Sequence, residues 1–181
     1  FDWVLSAGGS HLDAGYSIAM DTNNNAYVTG FFQDQATFGT PRLTSKGYED
    51  IFIAKVLPSG QFDWAISTGE SSTDYGYGIA VDTSNNAYVT GFFTNQATFG
   101  STTLTSKGYR DMFMAKVLSS GQFDWAVSAG GSKEDHGRSI AIDAGNNAYV
   151  TGDFKDQVTF DSTTLASKGS TDVFIWKIPL P

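Results

Sequence analysis

The chain repeats itself with a period of 61 residues. Phe1-Asp2-Trp3 returns as Phe62-Asp63-Trp64 and again as Phe123-Asp124-Trp125. The register then holds without a gap. Asn25-Ala26-Tyr27-Val28-Thr29-Gly30 recurs from Asn86 to Gly91 and from Asn147 to Gly152, and Thr44-Ser45-Lys46-Gly47 recurs from Thr105 and, with one change, from Ala166. The first two copies are identical at about two-thirds of positions, and the third has drifted further. A fixed period of this length means one supersecondary unit stacked on copies of itself, each covering the apolar face of the next. The chain is therefore read as a single repeat domain, with repeats at residues 1–61, 62–122 and 123–181.

Each repeat reads as four strands, and no window shows a helical period. In the first repeat, Gly15–Asp21 is apolar or small on both faces, which suits a strand held between neighbours. Thr22-Asn23-Asn24-Asn25 predicts a tight turn, because Asn tolerates left-handed backbone and hydrogen-bonds its own main chain. Ala26–Phe32 is the second strand. A long segment, Gln33–Glu49, carries an expected small hairpin around Thr37-Phe38 and Leu43-Thr44. Asp50–Leu57 is the third strand and Pro58-Ser59-Gly60-Gln61 a turn. In the fourth strand, Phe62–Ser67, Phe62, Trp64 and Ile66 alternate with Asp63, Ala65 and Ser67. Four antiparallel strands per unit, with small residues innermost and aromatics outward, predict an all-β fold of β-propeller blades. The phase adds a detail. The chain opens on a strand of the fourth type, Phe1–Ser6, and its last strand, Asp172–Ile178, is of the third type. Completion of a ring by strand exchange or oligomerisation is expected, and would cover an otherwise aggregation-prone sheet edge.

Charge and composition remove several partners. The chain has 19 acids against 11 bases, a net charge of -8, so it lacks the basic face that nucleic acid requires. The same sign disfavours an anionic membrane surface. No apolar run approaches the roughly 20 residues needed to span a bilayer. With no Cys there are no disulfides and no thiolate metal sites. The start at Phe1, without Met or a signal-peptide pattern, reads as a mature, trimmed or excised piece.

The run Gly8-Gly9-Ser10, Asp13 to Asp21 and Asn25 to Gly30 resembles the bacterial SBBP β-propeller repeat, as do Thr37-Phe38-Gly39, Leu43 to Gly47 and Asp50 to Lys55. The resemblance covers the chain three times over. It implies a propeller fold and an exported or cell-surface bacterial protein, and it brings no catalytic motif. Members of that family usually hold enough repeats for a full ring, whereas this chain holds three. Closed propellers typically have 4–8 blades, and three alone leave apolar faces wet. Self-association is therefore expected: a homodimer giving six blades, each chain lending Phe1–Ser6 to the other's last blade, or a larger assembly. A fragment of a longer array and a closed three-unit monomer are the alternatives.

Candidate sites are few. Tyr48 and Tyr109, after Ser-Lys-Gly in the long loop, are candidate ligand-binding aromatics, because loops on a rigid scaffold carry binding. Ser170 takes that place in the third repeat. Trp176 stands where Ala54 and Ala115 stand, and is read as seam packing or a ligand platform. Trp3, Trp64 and Trp125 are read as packing unit against unit, with sugar stacking as the alternative. Asp13, Asp74 and Asp135 recur before the innermost strand. They are weak candidates for an acidic ring holding a cation, against a reading in which each caps its own loop. Asp21-Thr22-Asn23-Asn24-Asn25 has the oxygen-rich start of a calcium loop. Ala26 and Phe32, however, stand where Gly and Glu are needed, so it reads as a turn. His11, His136, Arg138, Asp153 and Trp176 break the repeat symmetry, and both His are expected to be solvated. No nucleophile elbow, phosphate loop or His cluster is present, so no cofactor is expected. The function expected is a non-catalytic exported scaffold for binding, adhesion or assembly. The alternatives are a structural subunit of a surface polymer, a lectin-like propeller with a glycan or protein ligand, or an enzyme using an acidic channel.

Overall fold

The computed structural model describes residues 2–180. It is all β. The strands are β1 (Gly8–Gly9), β2 (Asp13–Met20), β3 (Ala26–Phe32), β4 (Gln35–Thr37), β5 (Arg42–Thr44), β6 (Asp50–Val56) and β7 (Phe62–Thr68) in the first repeat and its continuation. Then come β8 (Tyr75–Val81), β9 (Ala87–Phe93), β10 (Gln96–Phe99), β11 (Thr102–Thr105), β12 (Asp111–Val117) and β13 (Phe123–Ala129). The third unit holds β14 (Asp135–Ile142), β15 (Asn147–Phe154), β16 (Gln157–Phe160), β17 (Thr163–Ala166) and β18 (Asp172–Pro179). Three main sheets result, in the orders β2-β3-β6-β7, β8-β9-β12-β13 and β14-β15-β18. All pairings within them are antiparallel. The hairpins β4-β5, β10-β11 and β16-β17 stand apart from them.

Alternation along each strand gives every sheet two apolar faces, which we call front and back. Tyr27, Ile51 and Ile53 on the back of the first sheet share a core with Ile79, Val89, Phe113 and Ala115 on the front of the second. Tyr88, Met112 and Met114 on the back of the second share one with Ile140, Ala148, Val150 and Phe174 of the third. Each side chain of that size contributes about 1.5–3 kcal/mol by leaving water. The front of the first sheet collects Phe32, Phe52 and Ala54 with Ala36 and Phe38 of its hairpin, and no further sheet lies over it among the described residues.

The turns follow the sequence. Asp21 Oδ1 accepts the backbone N–H groups of Asn23 and Asn25, both at 2.8 Å, and Asn24 takes the left-handed conformation at φ 62°. The same arrangement recurs at Asp82 and Asp143. These carboxylates are occupied by the turn itself. In β2, β8 and β14 the register shifts by one residue beside Gly15, Gly76 and Gly137, making Tyr16, Tyr77 and Arg138 the extra residues of bulges.

The third sheet has three strands, in keeping with a last strand of the third type, so β18 has an unpaired outer edge. Two features depart from the sequence pattern. Phe1 lies outside the described residues, and Asp2–Ser6, expected as a strand, forms none. A short additional strand, β1, extends the small hairpin by pairing Gly8 with Thr37 and Gly9 with Ala36. Gly9 is required there, since a Cβ would stand 1.7 Å from the Gln35 carbonyl oxygen.

Candidate functional site

Three of the five symmetry-breaking residues meet at one point. His136 on β14 lies opposite Asp153 on β15, and the bulge turns Arg138 back toward the same carboxylate. Arg138 Nε donates to Asp153 Oδ1 at 2.5 Å, and His136 Nδ1 lies 2.9 Å from Oδ2. The Arg138 guanidinium also covers the Tyr77 ring at 4.7 Å. His136 is buried with its ring edge-on to Phe92, which corrects its reading as a solvated loop residue. Burial pushes the His136 imidazole below its ordinary value, against the opposing pull of Asp153. Burial alone would raise Asp153, but its bonds from Arg138 and His136 hold it below the usual carboxylate range. Both carboxylate oxygens are engaged, Oδ1 by Arg138 and Oδ2 by His136 Nδ1.

The equivalent positions in the other repeats are aromatic except for Ala14. Phe31 stacks on Tyr75 at 4.3 Å between ring centroids, Tyr16 lies 5.2 Å from Tyr77, and Tyr77 lies 5.7 Å from Phe92. A band of aromatic rings thus runs along the bulged ends of the first strands and finishes in an ionic clamp. The signal was present in the sequence as three simultaneous changes in the third repeat, to His, Arg and Asp. Pairing them needed the hairpin register. Replacing Asp153 with Ala is expected to move the His136 titration to lower pH, followed by NMR, because the imidazolium loses its partner. The stability cost is expected near 1 kcal/mol, since Arg138 is half exposed and water screens the pair.

The recurring aspartates cap loops. Gly9, Glu70 and Gly131 donate their backbone N–H groups to Asp13, Asp74 and Asp135 at 2.7, 3.1 and 2.8 Å. Asp74 and Asp135 are fully buried at the junctions between sheets, and Asp13, at the open front of the first sheet, is half-buried. Burial, with the neighbouring Asp50 or Asp111 adding to it, pushes both Asp74 and Asp135 up to about 7. Oδ1 of Asp135 and Oδ1 of Asp111 are buried with no hydrogen-bond partner. Among the described residues no three His, Asp, Glu or Cys side chains are grouped to hold a metal ion.

Tyr48 and Tyr109 are 63% and 58% exposed, on loops whose backbone leans on the next sheet. Tyr109 lies beside the Arg110 guanidinium, 5.1 Å from its ring. His11 is exposed, 3.5 Å from Asp34. Trp176 packs on Phe160 in the core between the second and third sheets, inside the stack and not at a closing seam.

The tryptophans link one sheet to the next. Trp64 leaves β7 of the first sheet, and its Nε1 donates to Ser119 O in the last turn of the second. Trp3 does the same to Pro58 O of the first sheet, at 3.0 Å. Gly60 and Gly121, at φ 79° and 85°, leave room for the indoles, which lie 2.7 and 2.9 Å from where a Cβ would stand. Trp125 is the third of the set. Its Nε1 is buried without a partner.

These features define an all-β tandem-repeat protein. The family model described as SBBP, Beta-propeller repeat, matches residues 64–91 of the chain. The chain is also 28% identical over 211 residues to an uncharacterized WD repeat-containing protein of Acanthamoeba polyphaga mimivirus. That alignment takes in 96% of this chain and 15% of the viral protein.

Proposed function

We propose that the chain is a non-catalytic interaction and assembly scaffold, a run of propeller blades whose two end faces are its principal binding surfaces. One observation carries this reading. Val173 and Ile175 on the back of the third sheet are 72% and 76% exposed, while Ile51, Ile53, Met112 and Met114 at the same positions are at most 1% exposed. At the other end Ile18 is 65% exposed, against 5% for Ile79 and 8% for Ile140. Side chains selected for burial inside the stack stand in water at both ends. The ring is then completed by strand exchange or oligomerisation. The propeller repeat and the WD repeat-containing relative fit a protein whose work is to hold others. Export to the cell surface of a bacterium rests on the resemblance alone.

The test is the mass of the particle after Val173 and Ile175 are both changed to Asp. Both side chains face solvent in the single chain, so folding is expected to survive. Light scattering is expected to show the assembly of the unchanged protein reduced to single chains of 19.4 kDa. Persistence of the larger particle would remove the end faces from the account. A second reading, a lectin-like surface, is favoured by the exposure of Tyr48 and Tyr109. A glycan array that binds the unchanged chain and fails with both tyrosines changed to Ala would support it.

A further inference from the structure

The two ends of the molecule are complementary halves of one joint. At the front of the first sheet an apolar groove of about 330 Å³ runs between Ile18, Val28, Phe38, Phe52 and Ala54. On the second sheet the corresponding face is filled by Tyr27, Ile51 and Ile53 of its neighbour. The residues at those three positions on the third sheet are Tyr149, Val173 and Ile175, and the last two are the exposed ones. What fills the groove inside the stack is thus displayed, uncovered, at the other end.

The strands show the same complementarity. β18 occupies the place of β6 and β12 in the other sheets but has no strand outside it. The segment Asp2–Ala7 corresponds in sequence to β7 and β13 but pairs with nothing. It is nevertheless already in position. Trp3 is bonded to Pro58 O just as Trp64 is bonded to Ser119 O, and Trp3, Leu5 and Ala7 line the groove. The segment therefore sits where the fourth strand of a preceding sheet would sit, waiting for the third strand of that sheet.

Resting on the assembly reading above, we infer that a second copy of this chain docks the back of its third sheet on this groove and takes Asp2–Ala7 as the fourth strand beside its β18. The existing sheets fix the register. Lys55 pairs with Trp64, Ile53 with Ile66 and Ile51 with Thr68, and the second sheet repeats this. Carried over, Lys177 stands beside Trp3 of the other copy, Ile175 beside Leu5 and Val173 beside Ala7. Charge agrees with that register. Lys55 reaches Asp63 at 3.2 Å and Lys116 reaches Asp124 at 2.9 Å. Lys177 and Asp2 hold the same two positions on opposite sides of the joint. Made reciprocally by two copies, the joint covers both ends of each chain and closes six sheets into one ring, within the usual blade number.

Engineered thiols test the register, because the chain has no Cys. One preparation carries Leu5→Cys and the other Ile175→Cys; both side chains retain solvent access in the single chain, so neither change threatens folding. The two are unfolded together, refolded as a mixture and oxidised. The inference predicts a disulfide joining one chain of each kind as the main covalent product, at least several-fold above any dimer formed by either variant alone. A particle of two chains' mass with no such product would overturn strand donation and leave the assembly reading standing. A particle of single-chain mass would overturn both, and would give the end faces to another occupant such as further repeats of a longer chain.

Discussion

Changing Gly91 to Ala is expected to cost the fold more than about 4 kcal/mol, a loss reserved for backbone clashes and large core defects. Gly91 lies in the middle of β9 and pairs with Gly76 at the bulge of β8. A Cβ there would stand 1.7 Å from the Tyr75 carbonyl oxygen and 2.9 Å from the Phe113 ring. Neither obstacle is the free end of a flexible chain. The carbonyl belongs to the sheet, and Phe113 is fully buried in the inter-sheet core. The same approach recurs at Gly30 and Gly152, at 1.9 and 1.8 Å from the Ala14 and His136 carbonyl oxygens. It is therefore part of the repeat's design. Gly169 supplies the control, since nothing lies within 4 Å of its would-be Cβ. Gly169→Ala is expected to leave stability within about 0.5 kcal/mol. Urea unfolding followed by tryptophan fluorescence measures both, and equal midpoints for the two variants would contradict the close-packed bulge.

The second large effect concerns pH. Asp74 and Asp135 are pushed by burial up to about 7 from an ordinary value of 3.8. Between those limits the folded chain holds protons that the unfolded chain has released, so raising the pH through this window favours unfolding. The stability these groups contribute is fully present below pH 3.8 and lost as pH rises through about 7. Three pH units correspond to about 4 kcal/mol at most for each carboxyl. The opposite trend limits stability in acid. Asp21, Asp143 and Asp153, held below the usual range by hydrogen bonds, lose their contribution as pH falls through their lowered values. His136, buried and held low, adds to that loss: its contribution is present above pH 6.5 and disappears as pH falls through its lowered value. A maximum near pH 4 follows, with a fall of several kcal/mol by pH 8. Asp135→Asn is expected to flatten that fall. Its amide oxygen keeps the Gly131 N–H, and an amide NH2 replaces the oxygen that has no partner. Urea midpoints at pH 5 and pH 8 that coincide in the unchanged protein would contradict the burial of charge at the sheet junctions.

Much of the fold was legible because the repeat multiplies every signal by three. Asn23-Asn24 and Gly60 mark turns wherever they recur, and the alternation in Phe62–Thr68 identifies its strand without help. Sequence pattern failed where a strand's existence depends on what lies beside it. Asp2–Ser6 has the same pattern as β7 and β13, but those strands form because β6 and β12 offer them an edge. The site was less legible. The symmetry breakers were visible singly, but a hairpin register was needed to place His136 against Asp153, and a bulge to bring Arg138 back to them. The burial of His136 was missed because its equivalents, Ala14 and Tyr75, gave no hint that an imidazole would be covered. The open end faces appear only on comparing exposures, since Val173 and Ile175 look like ordinary core residues in sequence.

The measurement that bears most directly on the account is the mass of the unmodified chain in solution, by light scattering across a size-exclusion peak. Two copies joined at both ends predict a single species of about twice 19.4 kDa, unchanged on dilution into the micromolar range. A monodisperse particle of 19.4 kDa would contradict the account, because the apolar faces at Ile18 and at Val173 and Ile175 would then be stable in water.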